Sequence, residues 1–158
     1  MDRESLRAVA AGSGRQALMD LLLLADESPE QVAGYIDDGD LFVLEDATGL
    51  PLGITLVLYE GDDTAELKAI AVRPDRQGQG VGKRMLRQVL DGLRERGTQR
   101  VLVATGTSSL APLALYQKLG FRLFRIDRDF FTPERGYPEE IVENGIRLRD
   151  MVWLDLEF

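Results

Sequence analysis

The chain has 158 residues, 44% hydrophobic and 29% charged, with a formal net charge of −8 and neither cysteine nor histidine. Those proportions are ordinary for a globular protein, and the length predicts a single domain over residues 1–158 with a sizeable core. They exclude a disulfide framework, a thiolate metal site and a cysteine nucleophile, and they remove the commonest general base and metal ligand.

The acidic balance argues against non-specific nucleic-acid binding. No run of 18 apolar residues occurs, so no membrane span is expected. Met1-Asp2-Arg3-Glu4 is charged and lacks a signal-peptide pattern, which points to a cytoplasmic protein.

In chain order, residues 4–10 read as a short first strand. Arg15 to Ala25 reads as a helix with Leu18, Leu21, Leu22 and Ala25 on one face. Ser28-Pro29-Glu30-Gln31 starts a second helix: Ser is the N-cap, Pro takes the first helical position and Gln completes a capping box. That helix is expected to stop near Asp38-Gly39. Leu41–Glu45 and Leu52–Tyr59 read as strands joined by the turn Ala47-Thr48-Gly49. After Gly61-Asp62-Asp63 a third strand follows, with Leu67, Ile70, Ala71 and Val72, giving an antiparallel meander. Pro74 ends it, because proline lacks the N–H that a ladder needs.

Gly78, Gly80 and Gly82 come next, and then Val81, Met85, Leu86, Val89, Leu90 and Leu93 at helical spacing up to Gly97. Val101–Ala104 reads as a buried strand reached by a right-handed parallel crossover. Leu110–Leu119 is a further helix, with Pro112 tolerable in its first turn, and Phe121–Ile126 a strand. From Ile146 to Phe158 the even positions are mostly apolar, which predicts one half-buried strand. The sixteen residues 129–144 between these strands are too apolar for a plain linker and long enough to suggest function.

Glycines ahead of a helix let an anion approach unsatisfied N–H groups at its positive end. Residues 73–100 carry a net +5 and the remainder −13. Either the basic residues form a solvated helix face, or the turn attracts an anionic cofactor and the acidic remainder a cationic substrate. The loop is not a nucleoside-triphosphatase loop: Gln77 replaces its first glycine and Arg84 the Ser/Thr that would ligate magnesium. A dinucleotide fingerprint fits poorly, since Lys83 stands at the last required glycine and the preceding strand belongs to a meander.

Gln77-Gly78-Gln79-Gly80-Val81-Gly82 does match Q/R-x-x-G-x-G/A, and Leu67–Pro74 matches L-x-x-I-A-V-x-P. Ala114-Leu115-Tyr116-Gln117-Lys118-Leu119-Gly120-Phe121 resembles A-x-x-L-Y-x-x-x-G-F, with Pro112 in place of the pattern's alanine. Over roughly residues 40–128 the chain therefore resembles the GNAT superfamily of N-acyltransferases, and its tail resembles an uncharacterised bacterial subgroup. The resemblance implies an α/β (α+β) GNAT-like domain. Its central sheet would be mixed and mostly antiparallel, flanked by helices, with a splayed central strand pair forming an acyl-CoA cleft.

The resemblance also implies acetyl-CoA as cosubstrate and no metal. Gln77, Gly78, Gln79, Gly80, Val81, Gly82 and Lys83 would cradle its pyrophosphate. Ile70, Ala71 and Val72 would offer backbone groups to the pantetheine arm. Ser109 stands where many relatives carry an Asn that contacts CoA, so it would hydrogen-bond there. Tyr116 would protonate the departing thiolate, and Glu66 would accept the amine's proton directly or through water. Each also has a plain structural reading: a tight turn, core strand residues, a packed helix tyrosine, a solvated strand-end carboxylate.

The reaction implied is direct attack of a primary amine on acetyl-CoA in a ternary complex. The acceptor is a small-molecule or peptide amine. A non-catalytic acyl-CoA-binding regulatory module is the alternative, and an interaction domain with a vestigial loop a third. Tyr137, Glu139, Glu140 and Glu143 form either an acidic, aromatic-edged substrate rim or a solvated loop. Neither the identity of the amine nor a homodimer through the last strand is decided by the sequence.

Overall fold

In the computed structural model, residues 3–26 and 28–158 are described. The chain forms two compact units, Met1–Gln99 and Arg100–Phe158.

In the first unit, β1 (Ser5–Val9), β2 (Asp40–Glu45), β3 (Pro51–Glu60) and β4 (Thr64–Val72) form an antiparallel ladder in that order. Alternation along the strands sends Leu41, Val43, Ile54, Leu56, Ala69 and Ala71 to one face. There they pack on Leu21 and Leu22 of α2 (Met19–Ala25) and on Val32 and Tyr35 of α3 (Pro29–Tyr35). On the other face Leu44 and Leu52 meet Val81 and Met85 of α4 (Val81–Glu95). Every apolar residue read as the inner stripe of α4 is buried. Gly97, at φ 97°, closes that helix where the sequence put its end.

The helix expected over Arg15–Ala25 is two helices, α1 (Ser13–Gln16) and α2. Between them Leu18 has φ −101° and ψ 12°, and its N–H bonds back three residues to Arg15. Leu18, Leu21 and Leu22 are buried all the same, so side-chain periodicity could not reveal a break made in the backbone; Ala25 is exposed.

Ser28 caps α3 as expected, accepting from the Gln31 N–H at 3.3 Å. The return half of the capping box is replaced, since the Ser28 N–H goes to Asp26 Oδ1. α3 ends at Tyr35, short of Asp38-Gly39, because a side chain holds the carbonyls beyond it. Arg15, only 3% exposed, donates to the carbonyls of Ile36, Asp38 and Gly39 and to that of Val9. No pattern in the sequence marks this arginine as an interior brace.

In the second unit, β5 (Arg100–Gly106) leads into α5 (Leu110–Lys118) and then β6 (Arg122–Asp127). A hairpin of β7 (Val142–Glu143) and β8 (Ile146–Arg147) follows, and then β9 (Met151–Glu157). β9 lies between β5 and β6, antiparallel to both. Pro112 sits in the first turn of α5, and Gly120, at φ 105°, terminates the helix region.

The single strand expected over Ile146–Phe158 is therefore β8 and β9, interrupted at Leu148–Asp150. Asp150 causes the interruption: its carbonyl accepts from the N–H and hydroxyl of Thr107, and its carboxylate from the Asp129 N–H. The apolar even positions run on through both strands in the sequence, so alternation alone could not show the gap, although Ile146 is exposed and Val152 and Leu154 are buried. The long segment before them is ordered around Phe130, Phe131 and Tyr137, with ring centroids 4.9–6.1 Å apart. Asn144 (φ 55°) and Gly145 (φ 74°) make the hairpin turn.

Candidate active site

β4 carries Glu66, Ile70, Ala71 and Val72 opposite Leu58, Thr55, Ile54 and Gly53 of β3. Leu56 faces Ala69 while Val57 faces Leu67, so Lys68 is an extra residue, a bulge two positions from Glu66 and from Ile70. Ile70 and Val72 pack against the Val81–Met85 cluster, and Ala71 belongs to the opposite face. Glu66 is half-buried. Burial raises its pKa above the ordinary 4.5, and Glu60 adds to the rise, while Lys68 opposes it.

The turn Gln77–Gly80 is exposed. Its side chains fold back on the chain itself: Gln77 Nε2 donates to the Val72 carbonyl at 3.1 Å, and Gln79 Nε2 to that of Asp75 at 3.4 Å. Gly78 and Gly80 both have φ 77°, where a Cβ is strained. Gly80 is the N-cap of α4 and has no side chain to cap it, so the first-turn N–H groups of Val81, Gly82 and Lys83 meet no capping group. Arg84 Nη1 holds the Gln79 carbonyl at 2.8 Å, and Nε and Nη2 bind both oxygens of Glu4 at 2.9 and 2.7 Å. That pair holds Glu4's carboxyl below its usual range.

Of the eight basic residues in 73–100, Arg73, Arg84, Arg96 and Arg100 are thus in ion pairs with acidic side chains. Among the described residues, Arg76, Lys83 and Arg87 stand in none.

Ser109 and Tyr116 belong to the second unit. Ser109 is the N-cap residue of α5, yet its hydroxyl makes no cap bond and instead donates to Glu143 Oε2 at 2.7 Å. Tyr116 follows seven residues later, two turns or roughly 10 Å along the same face. It is 6% exposed, with its ring 6.1 Å from that of Phe121. Burial raises its pKa, so the hydroxyl keeps its proton across the physiological range.

Sequence reasoning missed the engagement of Ser109 by Glu143 and the neighbouring bond from Asn144 Nδ2 to the Ser108 carbonyl. The signal was present: Asn144-Gly145 is a strong two-residue hairpin turn.

The first unit thus presents an uncapped helix start behind two left-handed glycines, and the second a buried tyrosine on a short helix. The chain belongs to the acetyltransferase (GNAT) family, whose sequence model matches residues 15–121. It is 38% identical over 157 residues to an uncharacterised N-acetyltransferase, YvbK, of Bacillus subtilis (strain 168), covering 99% of both chains. Its structure is similar to that of an IAA acetyltransferase from Bacillus cereus ATCC 14579, with TM-score 0.87 and 39% identity over 99% of this chain and 100% of the other. A GNAT acetyltransferase from Elizabethkingia anophelis, solved with acetyl-CoA bound, matches with TM-score 0.89 and 35% identity over the whole of both chains. These full-length likenesses give the chain the GNAT fold.

Proposed function

We propose that this protein is an acetyl-CoA-dependent N-acetyltransferase that acetylates a primary amine by direct attack in a ternary complex, and that residues 1–158 act as one domain. The observation that carries the reading is the glycine turn ending in the uncapped N-terminus of α4, in a chain that matches an acetyl-CoA-bound relative end to end. Acetyl-CoA supplies an acetyl thioester.

Backbone N–H groups of Gln77–Lys83 bind its diphosphate. Main-chain groups of Ile70, Ala71 and Val72 hold its pantetheine arm, and Ser109 contributes its hydroxyl oxygen. Glu66 accepts a proton from the incoming ammonium, directly or through water, and its raised pKa brings it nearer the operating pH of a general base. As the new N–C bond forms and the C–S bond breaks, Tyr116 gives its proton to the departing sulfur. The second amine proton returns to the tyrosine through solvent, leaving amide, thiol and one proton.

The test is a thiol-release screen with acetyl-CoA against peptides, polyamines and aminoglycosides. The chain has no cysteine, so every thiol detected comes from the cosubstrate. Amine-dependent release is expected. Acetyl-CoA binding by calorimetry with no release across the panel would instead identify a regulatory binding module.

A further inference from the structure

The β5–α5 loop and the β7–β8 hairpin are tied together by side chains with no part in the proton transfers above. Ser109 Oγ lies 2.7 Å from Glu143 Oε2, and Asn144 Nδ2 2.9 Å from the Ser108 carbonyl. Both partners are held firmly. Leu148 fills the space that a side chain at position 106 would need, since a Cβ on Gly106 would fall 2.3 Å from Leu148 Cδ1. The Thr107 N–H and hydroxyl bond to the Asp150 carbonyl. Glu143 itself is half-buried, whereas Glu139 and Glu140 are exposed. Among the described residues Glu143 forms no ion pair with an arginine or lysine.

The direction of the bond follows from the groups. An ionised carboxylate only accepts, so the shared proton is Ser109's. That hydroxyl has no second proton, and the charge on Glu143 strengthens the bond that commits it. What Ser109 has left is lone pairs. It can therefore bind a donor and not an acceptor. An asparagine at the same position would carry donor and acceptor in one side chain and would need no such partner.

We infer that Glu143 is a positioning residue, which fixes Ser109 as an obligate hydrogen-bond acceptor for a secondary amide N–H of the cosubstrate's pantetheine arm. This rests on the reading of acetyl-CoA as cosubstrate. It makes the 129–144 segment part of cosubstrate recognition through one carboxylate.

The test uses the full chain, with acetyl-CoA affinity by calorimetry, steady-state kinetics and thermal midpoints. Glu143→Leu is the discriminating variant: it offers Ser109 no acceptor, so the serine proton is released, while the bond from Asn144 Nδ2 to the Ser108 carbonyl still ties the two segments. Glu143→Leu is expected to weaken acetyl-CoA about fivefold, in KM with kcat held, at a thermal midpoint within about two degrees of wild type. Ser109→Ala is expected to do the same, and the double variant no worse than either single one. Ser109→Asn combined with Glu143→Leu is expected to restore affinity.

Wild-type affinity in Glu143→Leu would overturn the inference and leave the bond a structural tie. A loss in Glu143→Leu that tracks a fallen thermal midpoint would overturn it too. Failure of the wild-type chain to bind acetyl-CoA at all would overturn the cosubstrate reading with it.

Discussion

Burial acts in the same direction on the two proposed proton carriers, favouring the protonated form of each. On Tyr116 it keeps the proton in place until a basic sulfur appears. Tyr116→Phe is expected to lower kcat by about 10²-fold while acetyl-CoA affinity stays within about twofold; unchanged turnover would remove the general-acid role. On Glu66 burial disfavours the charged form. A carboxyl whose folded pKa is raised stabilises the fold fully below its unfolded pKa, and that contribution is lost as pH rises through the folded value. Glu66→Gln is therefore expected to match wild type in thermal midpoint near pH 4 and to exceed it slightly at pH 7. The acid limb of kcat/KM is expected above 4.5 in the wild type and absent in Glu66→Gln, whose rate falls about 10²-fold. A limb that persists in the variant would assign the base elsewhere. At this scale the residue types and their spacing were readable. The burial that tunes them was not, because it depends on packing among segments far apart in sequence.

The turn between β4 and α4 can be tested as an element. A side chain at Gly80 would take an unfavourable left-handed conformation, and its Cβ would lie 3.0 Å from Arg84 Nη1. Gly80→Asp is expected to weaken acetyl-CoA at least tenfold by placing charge and bulk at the anion site, with a thermal midpoint lower by only a few degrees. Normal binding would refute the cradle. Arg15 makes the opposite kind of case, structure without chemistry. Arg15→Leu leaves the carbonyls of Val9, Ile36, Asp38 and Gly39 without their donor and is expected to lower the midpoint by roughly 10 °C in calorimetry.

Strands, the α4 stripe and the glycine stops were legible because each rests on local periodicity or on a residue with special backbone freedom. The α1–α2 break and the β8–β9 gap were not. The gap is set by polar contacts from Thr107 and Asp129, and the break by a local backbone bond from the Leu18 N–H to the Arg15 carbonyl, while the apolar pattern runs through both without interruption.

Across the whole molecule, the basic segment is less cationic in effect than its count suggests, since at least four of its eight basic residues are in ion pairs. What remains for an anion is concentrated at Arg76, Lys83 and Arg87. Acetyl-CoA affinity is expected to fall with added salt, and the triple change of these residues to Gln to flatten that dependence and weaken binding about tenfold at low salt. A salt response unchanged in the triple variant would show that the bulk charge, and not these three, does the steering.

Trp153 is the chain's single tryptophan. Its indole N–H donates to Asp127 Oδ2 at 3.0 Å, and the Arg125 guanidinium lies 4.8 Å from its ring. The protein therefore contains its own optical label, confined to the β6–β9 pair. Tryptophan emission, excited selectively, reports the melting of Arg100–Phe158 alone, whereas the far-ultraviolet signal averages over both units. If residues 1–158 fold as one domain, the two denaturation curves superimpose at a common midpoint. Separate midpoints would make Arg100–Phe158 a thermodynamic unit of its own, visible without attaching any dye.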